Sequence, residues 1–433
     1  MKFNYYTLLF LLLNVTLLKA QQLYPLSLDE LFERGEKYSL QVRASHIQEL
    51  IAGEKEQQAR IALLPEIKMN ATVGYIGQPT VFKNGLSNPI HPDMPDWSHN
   101  YNVELTQPLY RGGKIKQSVK RAALDKQMAR LSTTNNVADV KLLLLQQYMG
   151  LFTLHKQQNV LERNIEESRI RLKDIRKKLQ EGLLTRNDEI RSELELTNYE
   201  LSLREVKDDI YIVSQQLDAI LGLDESLLLL PDTSLLHVPV QIQSCDIYIE
   251  QAYQNYPEMQ MARYRTRLAM TDKQIARADY RPTLSLHAGN TLARPLSTTM
   301  EDMFNNNWNI ALSLSYPLSS LYTNHHKMKE TKQYIILQQN AEEEMKQQIR
   351  TKVRSAYIRH EEALDRVEAL RLSVKQAEEN YRIVHNRYMN QLSILTDLLD
   401  AANIRLQQEL QLTAARANVI YTYYELLRVC GNL

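Results

Sequence analysis

The sequence predicts a mixed α and β membrane protein built twice over from one unit, a strand hairpin followed by a very long helical hairpin. Three observations carry this reading. The 433 residues include only 12 glycines and 13 prolines, against an ordinary usage of about 7% and 5%, and neither residue occurs from Leu318 to Cys430. Four segments alternate apolar and polar residues with period 2. Landmarks also recur at a fixed offset: Pro65 with Pro282 is 217 positions apart, whereas Pro108 with Pro317, Asp188 with Asp397 and Gly222 with Gly431 are each 209 apart.

In chain order, residues 1–20 read as a secretory signal peptide. Lys2 precedes the apolar run Leu8 to Leu13, and Ala20 is a small residue suited to cleavage. The first repeat then spans residues 21–222, a linker carrying Pro231 and Pro239 spans 223–244, and the second repeat spans 245–433. No later stretch is apolar and long enough for a transmembrane helix. Lys plus Arg number 52 against 51 Asp plus Glu, which gives no electrostatic footprint for nucleic acid, and the 44% hydrophobic content argues against disorder.

Each repeat opens with an amphipathic helix, expected from about Ser27 to Leu63 and from Asp246 to Asp279, that closes near the proline at 65 or 282. Strands follow. Ile67, Met69, Ala71, Val73 and Tyr75 alternate with polar or small residues, and their mate carries Tyr101, Val103 and Leu105. In the second repeat the apolar sets are Leu284, Leu286 and Ala288, then Trp308, Ile310, Leu312, Leu314 and Tyr316. These are two hairpins with Pro-, Asn- and Asp-rich loops at Gln78 to His99 and Ala293 to Asn307. Strands of this length suit an outer membrane, and Tyr75, Tyr101, Trp308 and Tyr316 suit an interfacial girdle; a secreted soluble sandwich shows the same alternation. Facing lipid, four strands cannot close a barrel, so several chains must share one.

Beyond the hairpins the period becomes 3.5. Gln158, Leu161, Ile165, Ser168, Leu172, Ile175 and Leu179 form a seam, repeated at Val367, Leu370, Val374, Ala377, Tyr381, Val384 and Tyr388. Sustained 3.5 spacing implies supercoiled helices, expected from about Ser118 to Glu181 and Leu318 to Asn390. Turns near Gly182 and Gln391 send the chain back through Asp188 to Leu221 and Asp397 to Cys430.

These features together resemble the TolC family of outer-membrane efflux and secretion channels. The segments that carry the likeness are the signal peptide, the duplicated unit, Gln107-Pro108-Leu109-Tyr110-Arg111-Gly112-Gly113 and the run from Tyr388 to Ala401. The resemblance implies a homotrimer whose twelve strands form one β-barrel in outer-membrane lipid of a Gram-negative cell. That barrel would continue into a periplasmic α-helical coiled-coil barrel that meets a periplasmic adaptor and an inner-membrane pump of RND or ABC type. It further implies a gate at Asp397, Asp400, Asp188 and Tyr388, with strand-to-helix junctions at Pro108 and Pro317. Adaptor contact would fall on two tips, Gly182, Leu183, Leu184 and Thr185, and Gln391, Leu392, Ser393 and Ile394. Two positions depart from the family pattern: Gln391 replaces a glycine, and Ser393 stands where an arginine is found, leaving Arg186 to supply a substitute charge.

No enzyme, cofactor or metal is expected. Gly112-Gly113-Lys114 lacks the rest of a phosphate-binding loop, His360-Glu361-Glu362 lacks the histidine that would complete a zinc helix, and His325-His326 reads as a polar helix start. Cys245 and Cys430 rule out a disulfide scaffold. The competing class, a secreted coiled-coil spacer or adhesin, accounts for the heptads but not for the alternating strands.

Overall fold

The computed structural model describes residues 23–433 except 92, 233–241 and 297–300, together with all but the side chain of residue 83. The signal-peptide expectation and the middle of the expected linker therefore lie outside the described residues. In chain order the elements are β1 (Leu23–Leu26), α1 (Leu28–Tyr38), α2 (Leu40–Ile61), β2 (Glu66–Tyr75), β3 (Val81–Asn84), β4 (Ser87–Ile90), β5 (Trp97–Arg111), α3 (Lys114–Gln180) and α4 (Arg186–Leu221). The linker adds β6 (Leu228–Pro231), and the second copy adds α5 (Cys245–Asn255), α6 (Pro257–Ala278), β7 (Thr283–Arg294), β8 (Asn305–Ser315), α7 (Ser320–Met389) and α8 (Leu395–Cys430).

Two expectations change. Each opening helix is broken in two, at Ser39 in the first copy and at Tyr256 in the second, 217 positions on. Pro257 explains the second break, since the ring excludes helical backbone from the residue before it. Ser39 takes nearly the same backbone, ψ 124 against 122, without a proline. The expected linker also contains a strand, because β6 pairs in parallel with β1, Leu23 opposite Leu228 through Leu26 opposite Pro231.

The chain divides into two compact units. One comprises 23–47, 131–260 and 345–433 of the described residues and is mainly helical. Its first core packs Leu26, Leu28 and Leu31 against Leu144, Leu145, Tyr148 and Leu151 of α3 and Leu217 and Leu221 of α4. The buried Tyr148 hydroxyl donates to Leu26 O at 2.7 Å and accepts from Asp232 N at 2.8 Å, pinning the start of the first copy to the end of β6. A second core repeats the arrangement with Tyr248, Ile249, Ala252 and Met259 against Ile349, Val353, Leu426 and Cys430.

The other unit, residues 48–130 and 261–344, holds a four-stranded antiparallel sheet in the order β2-β5-β7-β8. Register makes it two-faced. Ile67, Leu105, Ala288 and Ile310 stand opposite one another in one row, and Met69, Val103, Asn290 and Trp308 in another. The intervening rows are Lys68, Glu104, Gly289 and Asn309, and Asn70, Asn102, Thr291 and Asn307. Successive residues point to opposite sides of a strand, so these rows form an apolar and a polar face. Asn70 donates to Asn102 at 2.9 Å across the polar face. Within the expected first hairpin loop, β3 and β4 make a small antiparallel pair.

Candidate functional site

The junctions come first. The last pair of β2 with β5 is Glu66 with Thr106, so Pro108 lies where β5 has a neighbour on one side only. A bulge between Pro108 and Tyr110 follows, one of the few places a sheet tolerates proline. Gly112 then takes φ 60 against the turn closing α6, where a Cβ would lie 2.4 Å from Ala278 O. Only glycine fits both demands. Arg281 donates to Gly112 O at 3.1 Å and Lys114 to Asp279 at 2.8 Å, anchoring the start of α3. In the second copy the carbonyl of Pro317 accepts from Ser320 N at 3.0 Å as α7 begins.

The two helical turns are near-copies. Gly182 and Gln391 both have left-handed backbone, φ 76 and 62. Leu183 N donates to Lys178 O at 2.9 Å and Leu392 N to Arg387 O at 2.8 Å, while Gly182 N and Gln391 N each reach the carbonyl three residues back at 3.0 Å. This is the same helix-ending motif twice. The missing glycine therefore does not change the turn; Gln391 adopts the strained conformation instead.

The caps that follow differ. Thr185 and Asp188 form a reciprocal capping box: Asp188 Oδ2 accepts from Thr185 N at 2.9 Å, and Thr185 Oγ1 accepts from Asp188 N at 3.3 Å. The matching N-cap of α8 is Ile394, which offers no side-chain oxygen. Ser393 instead donates to Asp397 at 2.7 Å. Asp397 and Asp400 are exposed on α8, and Leu183, Leu392 and Ile394 present exposed apolar side chains at the tips. Leu184 is partly buried against Leu395 and Leu398. Arg186 pairs with Glu189, which also accepts from Arg176 at 2.9 Å.

Tyr388 is 7% exposed, packed with Ile175, Leu395 and Leu398, and the Lys178 ammonium sits 4.9 Å from its ring centre. Its hydroxyl has no hydrogen-bond partner among the described residues. Burial, reinforced by the Asp188 charge, pushes its pKa up. Asp188 is thus close enough to act electrostatically, but its carboxylate hydrogen-bonds with Thr185.

Sequence reasoning missed a polar brace that ties the helical hairpins together. Arg171 of α3 meets Glu195 of α4 at 2.6 Å, with side chains only 10% and 8% exposed. Burial raises the Glu195 pKa despite the guanidinium. Tyr199 of α4 donates to Asn403 of α8 at 2.7 Å. Arg405 of α8 pairs with Glu167 of α3, donates to Asn164 at 3.1 Å, and lies 4.1 Å from the ring centre of Tyr381 on α7. Arg191 of α4 reaches Thr396 of α8 at 2.7 Å. A signal existed, since Glu189, Ser192, Glu195 and Tyr199 are all buried at helical spacing. That seam is polar, and a search for apolar heptads passes over it.

Among the described residues no group of His, Cys, Asp and Glu is arranged to hold a metal, and no helix is long and apolar enough to cross a membrane. Cys245 and Cys430 are both free thiols.

Residues 248–432 match the family model described as outer membrane efflux protein. No curated protein matches the chain in sequence. Solved structures match over nearly the whole chain at low identity. The outer membrane protein VceC of Vibrio cholerae is 16% identical, with 93% of this chain and 96% of that chain covered and a TM-score of 0.76. CusC, described with the conformational changes of folding and transmembrane channel formation, is 12% identical, with 94% and 92% covered and a TM-score of 0.79. The open state of the MtrE outer membrane channel of Neisseria gonorrhoeae is 16% identical, with 94% and 89% covered and a TM-score of 0.71. The fold is that of these channels.

Proposed function

We propose that this chain, whose residues 248–432 match the outer membrane efflux protein model, is the outer-membrane exit duct of a tripartite efflux or secretion system. The observation that carries this reading is the four-stranded sheet. Ile67, Met69, Val103, Trp308 and Ile310 on its apolar face are exposed, and its outer strands β2 and β8 have no further partner among the described residues. In hydrocarbon such edges leave backbone groups unpaired, and closure by neighbouring chains removes the cost. Three chains supply twelve strands, within the range of closed barrels. The protein then sits in the outer membrane with its long helices in the periplasm, catalyses no reaction, and conducts substrate delivered by an adaptor and an inner-membrane pump. The exposed apolar tips, Leu183 with Gly182, Leu184 and Thr185, and Leu392 and Ile394 with Gln391 and Ser393, support adaptor contact there.

The gate lies at the same end. In a trimer, Asp397 and Asp400 on one exposed face of α8 become two rings of carboxylates that attract cations. Opening moves the α7–α8 hairpin away from α3–α4, which separates Tyr388 from Lys178 and Asp188 and strains the brace at Tyr199 and Arg405. Purification in neutral detergent, chemical cross-linking and planar-bilayer recording test the whole reading. A trimer with steady conductance is expected, and recovery in an aqueous fraction without detergent overturns it. Unchanged cation selectivity and divalent block in an Asp397→Ala, Asp400→Ala double variant would remove the rings from the gate.

A further inference from the structure

The helical unit contains a cavity of about 340 Å³ beside Tyr388, walled by Ile170 and Ile175 of α3, Met389 of α7 and Leu398 of α8. That volume lies within the span of small-molecule sites, about 300–1,000 Å³. Its polar groups are mostly donors without acceptors. The Tyr388 hydroxyl, on a side chain more than nine-tenths buried, has no partner, and the Nε atoms of Arg171 and Arg405 are likewise buried and unsatisfied. All three residues line the cavity. Both guanidiniums already commit terminal nitrogens, Arg171 to Glu195 and Arg405 to Glu167. What remains is a set of N–H and O–H groups that an acceptor would complete.

The cations at the wall are already balanced: Arg171, Arg382 and Arg405 pair with Glu195, Glu379 and Glu167, and Lys178 and Asp174 line the cavity together, with His385 tilted against Tyr381. The unmet donors, rather than net charge, are what select the ligand. A purely polar anion would leave the four aliphatic walls unsatisfied, and a neutral apolar molecule would leave the donors so. We infer that this cavity is a binding site for an amphipathic organic anion, a carboxylate or sulfonate on an aromatic or aliphatic body, whose acid group meets Tyr388 and whose body lies against Ile170, Ile175 and Leu398. Bound there, such an anion contacts α3, α7 and α8 together and so favours the arrangement in which they are close. Only that consequence rests on the channel reading; binding itself does not.

The test is calorimetric titration of the full-length protein in neutral maltoside detergent with naphthalene-2-sulfonate, against a protein-free detergent control and uncharged naphthalene. Saturable binding is expected, with naphthalene at least tenfold weaker. Tyr388→Phe, which removes an unpartnered hydroxyl and leaves the packing intact, weakens the sulfonate about tenfold, and Ile170→Trp, which fills the space from the wall, abolishes binding. Circular dichroism melting confirms that both variants fold. Absence of saturable binding, as would follow if a neighbouring subunit fills the cavity, overturns the inference. So does equal affinity for the sulfonate and naphthalene, or a titration unchanged in Ile170→Trp.

Discussion

The Tyr199 hydroxyl lies 2.7 Å from Asn403 Oδ1 and 3.1 Å from Glu195 Oε1, so one side chain of α4 touches both the other helical hairpin and the buried Arg171–Glu195 pair. Removing different members of this brace has different costs. Arg171→Ala leaves the buried Glu195 carboxylate without its countercharge, a loss of about 3–5 kcal/mol. Tyr199→Phe removes a hydroxyl shared between Asn403 and Glu195 and leaves the ion pair in place, about 1–2 kcal/mol. Thermal unfolding followed by circular dichroism should rank Arg171→Ala well below Tyr199→Phe; equal midpoints would mean that the pair is not buried in the assembled protein.

Gln391 occupies by strain a place that Gly182 occupies freely. Left-handed backbone costs a non-glycine residue about 1–2 kcal/mol, partly offset by the entropy glycine loses on folding. Gln391→Gly is therefore expected to stabilise the α7–α8 turn by about 1 kcal/mol, read as slower amide hydrogen exchange at residues 388–396. Ile394→Thr, which rebuilds the cap that Thr185 provides in the first copy, should add about 1 kcal/mol more. A turn that exchanges faster in either variant contradicts the repeat argument.

Asp218 near the end of α4 is fully buried, and neither carboxylate oxygen has a hydrogen-bond partner among the described residues. Burial, with the Asp224 and Glu225 charges, pushes its pKa from 3.8 up to about 6. The unfolded chain loses this proton near pH 4 and the folded chain near pH 6. Stability from this group is thus fully present below about pH 4, declines between about pH 4 and 6, and is gone above, a difference of roughly 3 kcal/mol. The residue 209 positions on is Leu427. Asp218→Leu should raise the unfolding midpoint at pH 7.5 more than at pH 4. A gain independent of pH would show that the carboxyl titrates normally.

Ile310 is 66% exposed in the row it shares with Ile67, Leu105 and Ala288. If that row meets lipid, Ile310→Arg costs about 2–4 kcal/mol near the midplane, while Asn309→Arg on the polar face is tolerated. Insertion into lipid vesicles, scored by protease protection, separates the two. Equal insertion would place both faces in water.

Most of the architecture was legible because the periods are long and the duplication supplies a second reading of every element. The strands from Ile67 and from Trp308, the turns at Gly182 and Gln391, and the closing glycines 222 and 431 all fall where period and offset put them. The break at Ser39 was not legible, since a helix interrupted by one extended residue keeps its amphipathic pattern on both sides; its proline-marked mate at Tyr256 was the available clue. Strand β6 was missed because four residues, Leu228 to Pro231, are too few to show a period. At the site, the turns at 182–185 and 391–394 followed from the repeat offset. The brace did not, because Arg171, Glu195 and Arg405 are residue types that composition assigns to the surface, and only the fold shows which of them are buried together.

The sheet order carries one more implication. Within the chain, the later strand of the first hairpin, β5, pairs antiparallel with the earlier strand of the second, β7. The edges left over are the later strand of the second hairpin, β8, and the earlier strand of the first, β2. Joining chains β8 to β2 repeats between molecules the seam already made inside one. A three-chain ring built this way has pseudo-sixfold symmetry, as though six single-copy ancestors had been fused in pairs. Differences between the copies, such as Gln391 against Gly182, are then what lower the symmetry from six to three, giving alternate hairpins around the ring the freedom to behave unlike their neighbours.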